Sequence, residues 1–207
     1  MNTQLSLKTS LYHIPVKALC KTITTFTMLL LFIQMFTFSA FAEANINVGP
    51  KSGISAPKIS VLNLRNQPTN IEQLSSEKGL VIVFFRSADW CPYCKRHLLE
   101  LNEQAQKFTD LGYGLAAISY DNTDILQKFT KEQSISYPLL SDQQAQTMQA
   151  YNILNKDYAV GDDNYGIPYP GVVVIDKEGK IVHKYFYEGY KDRVKFSDLY
   201  LQLSKGN

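Results

Sequence analysis

Cys91 and Cys94 stand in the stretch Trp90-Cys91-Pro92-Tyr93-Cys94-Lys95. Two thiols at that spacing can close a bridge, hold a metal, or exchange electrons with another thiol pair. The backbone around them narrows the choice. Leu80 to Phe85 is an apolar run without alternation, as expected of a strand covered on both faces. Beyond the cysteines, Leu98, Leu101, Ala105 and Phe108 fall on one helical stripe, and Pro92 suits a first helical position. The pair therefore sits at a strand-to-helix junction. The partial positive charge and unpaired N–H groups of a helix start favour a thiolate at Cys91. Lys95, Arg96 and His97 follow in the first turns and would add positive charge. Cys94, one turn on, is placed to attack a mixed disulfide at Cys91. Cys91 is thus the expected nucleophile and Cys94 the resolving thiol. Trp90, Pro92 and Tyr93 are the expected substrate-facing neighbours. His97 reads as a helix-surface residue, and His183 has no assignable role.

The first residues change how the cysteines are counted. Residues 1–25 carry Lys8, Lys17 and Lys21 and no acid; an apolar core from Phe26 to Phe38 follows, then Ala40-Phe41-Ala42. This is the pattern of a secretory signal peptide cleaved after Ala42. An uncleaved membrane anchor is the competing reading, and the only expected tie to a membrane. The apolar core is short for a span and is interrupted by Thr27, Gln34 and Thr37. Removing residues 1–42 takes away three lysines and Cys20, leaving 165 residues with net charge −1 and two cysteines. An exported protein, periplasmic or secreted, with one close pair gains little by stapling, because so small a loop constrains the unfolded chain weakly. A structural zinc site needs four ligands. Only His97 and His183 would accompany the two cysteines, so no metal is expected. No cofactor is implied either. The small net charge gives no sign of a nucleic-acid partner.

The rest of the chain must position the pair. Residues 43–58, polar with Gly49, Pro50, Gly53 and Pro57, read as an extended arm before a domain spanning 59–207. Ile59 to Leu64 alternates as a first strand. Ile71 to Leu74 is a helical turn with Asn70 as its cap. After the cysteine helix, Gly112 and Gly114 mark a stop, and Leu115 to Ser119 is a second buried strand. Asp121 to Asp124 offers caps for a helix through Phe129. Tyr137 to Leu140 is a short extended piece. Ser141 or Asp142 caps a helix running to about Tyr151. A Tyr- and Asp-rich loop from Asn155 to Pro170 leads into a strand, Gly171 to Asp176. A hairpin turn follows, then its partner strand from Ile181 to Tyr187 and a last helix from Asp192 with Phe196, Leu199, Tyr200 and Leu203 on one stripe. This order predicts an α/β sandwich with a mixed central sheet flanked by helices. Asp157, Asp162 and Asp163 do not have calcium-loop spacing and read as solvated carboxylates.

The stretch Val81 to Lys95, with Ala88-Asp89-Trp90-Cys91 and Cys94-Lys95, resembles the thioredoxin superfamily. The Pro-Tyr dipeptide between the cysteines matches the glutaredoxin active site. Leu115 to Asp121 and Gly166 to Asp176 are similar to the redoxin branch, which holds the alkyl hydroperoxide reductase and thiol-specific antioxidant group and exported thioredoxin-like reductases. The resemblance spans about residues 59–203 and implies a thioredoxin-like fold. It also implies a cis-proline facing the redox pair. Pro170, six residues before Asp176, matches that position, so a cis Tyr169–Pro170 bond is expected. Such a bond would expose the Tyr169 backbone to a peptide substrate. Peroxiredoxins instead carry an Arg at the place of Pro170, and Pro and Thr seven and three residues before the peroxidatic cysteine. Counting back from Cys91 gives Phe84 and Ala88; counting from Cys94 gives Ser87 and Cys91.

The expectation is therefore an exported thiol–disulfide oxidoreductase. It would act on protein or small-molecule thiols and disulfides, with a redox partner that recycles its cysteines. A Pro-Tyr dipeptide accompanies couples near about −200 to −230 mV, against about −270 mV for thioredoxin. One alternative is a peroxiredoxin-like antioxidant using the same pair. Another is a non-enzymatic binding module that docks through Tyr158, Tyr165 and Tyr169.

Overall fold

The computed structural model describes residues 48–187 and 189–205. The expected signal peptide, its cleavage point and residues 43–47 lie outside the described residues. The described residues form seven strands and five helices: β1 Val61–Leu62, β2 Pro68–Thr69, α1 Ile71–Leu74, β3 Gly79–Phe84, α2 Pro92–Asp110, β4 Tyr113–Ser119, α3 Thr123–Gln133, β5 Leu139–Ser141, α4 Gln146–Ala150, β6 Gly171–Asp176, β7 Ile181–Phe186 and α5 Phe196–Lys205.

The strands form a mixed sheet. β3 pairs antiparallel with β6, from Gly79 opposite Asp176 to Phe84 opposite Gly171, and β6 pairs antiparallel with β7. β4 pairs parallel with β5; β5 pairs with β1, and β1 with β2, both antiparallel. The two groups meet where the Phe85 N–H donates to the Ile118 carbonyl at 3.0 Å. Period-two alternation sends each strand's side chains to opposite faces. Val81, Val83 and Val172 pack with Leu98 and Leu101 of α2 and Phe196 and Leu199 of α5. Leu80, Ile82 and Val173 pack on the other face with Met148 of α4 and Tyr151. All six residues of β3 are buried, which accounts for its unbroken apolar sequence. This is the expected thioredoxin-like sandwich.

Four local expectations change. The last helix begins at Phe196 and not at Asp192. The first strand is only two residues long, because β1 meets β5 at the single pair Leu62–Ser141 and turns at once into β2. The helix expected to start at Ser141 or Asp142 begins at Gln146, after Ala145 takes a left-handed conformation (φ 55°). Asp142 still serves it, accepting the Met148 N–H at 2.9 Å. The described part of the arm is fastened: the Gly53 N–H donates to the Ile181 carbonyl (2.7 Å) and the Ala56 N–H to the Gly179 carbonyl (2.8 Å).

Candidate active site

The loop between β3 and α2 is held from two sides before it reaches the cysteines. Ser87, fully buried, accepts the Asp89 N–H at 2.9 Å and the Trp90 N–H at 3.4 Å through its hydroxyl oxygen. Asp121, just past β4, accepts the Ala88 N–H at 2.7 Å and the Ser119 hydroxyl at 3.0 Å. Burial raises the Asp121 pKa. The hydrogen bonds from Ala88, Ser87 and Ser119 oppose that rise, and the Asp89 charge adds to it. One carboxylate oxygen thus ties the Ala88 backbone of the loop to the Ser119 hydroxyl of β4. Asn122, next to it, caps α3 by accepting the Ile125 N–H at 2.9 Å.

α2 starts as the sequence implies. Cys91 is its N-cap, in extended conformation, and Pro92 occupies the first turn. The Cys91 sulfur accepts the Cys94 N–H at 3.2 Å, so one of the helix's unpaired donors points at that sulfur. The two cysteines form a disulfide with Cα atoms 5.3 Å apart. Both are buried, at 1% and 0% exposure, whereas Trp90 is 42% exposed. The Trp90 Nε1–H donates to the Tyr120 hydroxyl at 3.0 Å. Asp89 is exposed.

The cation that reaches a sulfur is Arg193, from the segment before α5. Its guanidinium lies 3.8 Å from the Cys94 Sγ, and it also donates to the Tyr190 carbonyl and, at 2.7 Å, to the Asp192 carbonyl. Burial lowers its pKa to about 10, with Arg86 adding and Asp192 opposing, so it stays charged at neutral pH. The expectation that His97 adds positive charge here is corrected, and Arg96 packs on a ring. The Arg96 guanidinium lies 4.9 Å over the Tyr93 ring. His97 is not a surface residue but 4% exposed. It stacks on Phe196 with centroids 4.4 Å apart and donates from Nε2 to the Val194 carbonyl at 2.9 Å. Burial pulls its pKa down to about 4; the Val194 bond opposes this and Arg193 adds to it. His97 is thus a neutral anchor for the segment that carries Arg193.

The Tyr169–Pro170 bond is trans; no cis peptide occurs among the described residues. The local pairing explains the difference. Leu154 bridges Pro168, the Asn155 N–H donates to the Ile167 carbonyl (3.0 Å), and the Tyr169 N–H donates to the Ile153 carbonyl (2.7 Å). An extended trans chain satisfies all three and runs straight into β6. The Tyr169 N–H is consequently occupied and not free to pair with a peptide. Gly171, the next residue, lies under Phe186, whose ring would be 2.3 Å from any Cβ there.

Tyr169 and Pro170 line a groove of about 310 Å³ with Arg86, Tyr158, Tyr187 and Tyr190. Arg86 links that groove to the redox loop. Its guanidinium lies 4.8 Å over Trp90 and 4.9 Å over Tyr190, and it donates to the Tyr158 hydroxyl at 3.3 Å. The structure therefore gathers Trp90, Cys91, Pro92, Tyr93 and Cys94 at one helix start, and sets Tyr169 and Pro170 beside Arg86. Sequence reasoning missed Arg193, Tyr190, Ser87 and the loop-holding role of Asp121. Arg193 lies 99 residues from Cys94, where no local pattern could join them.

The AhpC/TSA family model matches residues 53–184. The chain belongs to the AhpC/TSA family. It is 25% identical to the thiol–disulfide oxidoreductase ResA of Bacillus thuringiensis subsp. konkukian over 144 residues, covering 69% of this chain and 74% of that one. It is 29% identical to a putative peroxiredoxin of Mycobacterium tuberculosis over 126 residues, 60% of this chain and 80% of that one. Among solved structures, the peroxidoxin BcpB of M. tuberculosis superposes with a TM-score of 0.66 at 20% identity, over 75% of this chain and 97% of that one. The thiol peroxidase of Chromobacterium violaceum gives 0.64 at 20% identity, over 77% and 90%. The fold is that of the redoxin branch, and this AhpC/TSA member is an oxidoreductase. Among the described residues, no helix is long and apolar enough to cross a membrane, and no three His, Cys, Asp or Glu side chains cluster as metal ligands.

Proposed function

We propose that this protein is an exported thiol–disulfide oxidoreductase working through Cys91 and Cys94. The observation that carries the reading is the bridged pair at the start of α2, with Cys91 as N-cap and its sulfur facing the Cys94 N–H. In the reduced protein, the Cys91 thiolate attacks one sulfur of a substrate disulfide; the other leaves as a thiolate and takes up a proton. Cys94 then loses its proton and attacks Cys91, breaking the mixed disulfide and releasing the second substrate thiol. The substrate has gained two electrons, and the protein is left with the Cys91–Cys94 bridge. An external dithiol restores it, and the reverse sequence oxidises a substrate dithiol. Arg193 supports the attacking form of Cys94, since a cation beside a sulfur favours its thiolate. Export rests on the pattern of residues 1–42. Its destination, periplasmic or secreted, belongs to the same proposal. Trp90, Pro92 and Tyr93 form the near wall for the substrate, with Tyr169 and Pro170 beside it.

One observation favours a second reading. Arg86 lines the same groove as Pro170, the position where peroxiredoxins carry an arginine. There the Cys91 thiolate would attack a peroxide oxygen, the other oxygen leaving as alcohol or water. Cys94 would then attack the sulfenic acid, forming the bridge and releasing water. A single purified preparation tests both. Catalysis of insulin reduction by dithiothreitol, abolished in Cys91→Ser, is the expected result. Background-rate insulin reduction, with rapid stoichiometric consumption of hydrogen peroxide by the reduced protein, would replace the first reading with the second.

A further inference from the structure

Three rings and four cations crowd the surface beside the disulfide. Arg86 lies over Trp90 and Tyr190; Arg96 lies over Tyr93; the Lys191 ammonium lies 5.7 Å from the Tyr93 centroid and 5.6 Å from that of Tyr190. Tyr93 and Tyr190 meet edge to face at 5.9 Å. Arg193 reaches the Cys94 sulfur behind them. None of the four cations forms an ion pair with a carboxylate among the described residues. Asp157, which lines the groove with Arg86, and Asp192, whose charge raises the Arg193 pKa, do not approach them within 4.0 Å. Such crowding is unfavourable in the free protein, and the Arg86 charge is one of the causes that lower the Arg193 pKa. The concentration is also local: the chain without residues 1–42 carries net charge −1. Trp90 and Tyr190 are 42% and 48% exposed, so the aromatic floor under these cations is open to a partner.

We infer that this basic-aromatic collar is the docking surface for an acidic segment of the protein whose disulfide or dithiol is exchanged. The inference rests on the reading above only in placing the partner's reactive cysteine next to the collar. A carboxylate delivered there meets Arg86, Arg96 and Lys191, which lie on rings and form no ion pair among the described residues, and the apolar stems of the same segment cover Trp90 and Tyr190. Electrostatic complementarity of this kind sets encounter rate and orientation, so it decides which partner presents its sulfur to Cys91. It also selects without the backbone pairing that the occupied Tyr169 N–H rules out.

Trp90 is the only tryptophan of the chain and reports occupancy without turnover. The full chain is titrated, at low and high salt, with two cysteine-free peptides that differ only in carrying aspartate or lysine around a common apolar centre. The aspartate peptide is expected to perturb Trp90 fluorescence and to bind at least about tenfold tighter at low salt. High salt should erase that advantage. The double variant Arg96→Glu, Lys191→Glu should reverse the preference, a gain of affinity for the lysine peptide that a misfolded protein would not show. Equal affinities, or a preference indifferent to salt and charge reversal, would overturn the proposal. So would a response to anionic lipid vesicles and to neither peptide. Failure of insulin reduction with the peptide preference intact would sink the enzymatic reading and leave the docking surface standing.

Discussion

At the residue scale, the proposed disulfide exchange makes the contact of Arg193 with Cys94 a control on the poise of the couple. Reduction turns one bridge into two sulfurs, and a cation 3.8 Å from one of them stabilises the reduced form when that sulfur is ionised. A hydrogen bond to a charged group contributes about 1.5–3 kcal/mol. Arg193→Met should therefore make the couple more reducing by about 30–60 mV, since 1.4 kcal/mol is about 30 mV for two electrons. It should also raise the pKa of Cys94 in the reduced protein, because the thiolate loses its neighbouring cation. Arg193→Lys should recover part of both. Titration of the reduced protein against a glutathione series, with thiolate absorbance of Cys94 in a Cys91→Ser background, measures the two quantities; an unchanged potential would remove Arg193 from the chemistry. The Cys91–Cys94 device is legible in the sequence because its logic is local: spacing, a proline at the first helical position and a preceding apolar strand. Arg193 is not, because the tertiary packing of α5 on α2 brings it there. The expected cis bond at Pro170 fails for a related reason. Its warrant was position along the chain, whereas the Ile153-to-Asn155 segment that pairs with it decides the local conformation.

At the scale of elements, α2 ties the cysteine pair to the segment before α5. Its first turn presents the sulfurs, and its second anchors, through His97, the segment from which Arg193 projects. The apolar stripe of Leu98, Leu101, Ala105 and Phe108 was readable from spacing, and all four are buried. His97 lies beside that stripe, yet a histidine at such a place reads as polar surface until Val194 and Phe196 are known to cover it. Its burial has a pH consequence. The folded pKa, about 4, is depressed below the unfolded 6.5, so the fold prefers neutral His97. The stability this contributes is complete above pH 6.5 and is lost as pH falls toward 4. It amounts to at most about 3 kcal/mol for a shift of this size. His97→Gln keeps a donor near the Val194 carbonyl but cannot titrate. Urea unfolding of the two proteins between pH 8 and pH 4 should show the wild type more stable at the upper end, by about 1 kcal/mol for the better-fitting hydrogen bond and ring stack. The gap should close or invert at the lower end. Parallel curves across that range would mean that His97 does not titrate with folding.

On the scale of the whole molecule, the sandwich was legible because each strand and helix carries its own pattern. The exceptions, β1 and α4, are those whose extent is set by a partner or by a left-handed turn. Charge is a property of the whole chain, and it bears on both proposals. With residues 1–42 attached the chain is positive overall; without them it is slightly negative, and the collar around the disulfide becomes a local exception. Cleavage also removes Cys20, so that Cys91 and Cys94 are the only thiols left and no third cysteine can capture the mixed disulfide. The proposed export therefore makes a prediction about composition as well as place. When the full chain is expressed in a bacterium with an active secretory pathway, the protein recovered outside the cytoplasm should begin at Glu43. Its intact mass should rise by two alkyl groups, not three, after reduction and alkylation. A product that keeps Met1 and accepts three groups would mean that residues 1–42 stay attached, with Cys20 available to the redox pair. Disulfide exchange at Cys91 would then have a competing internal thiol.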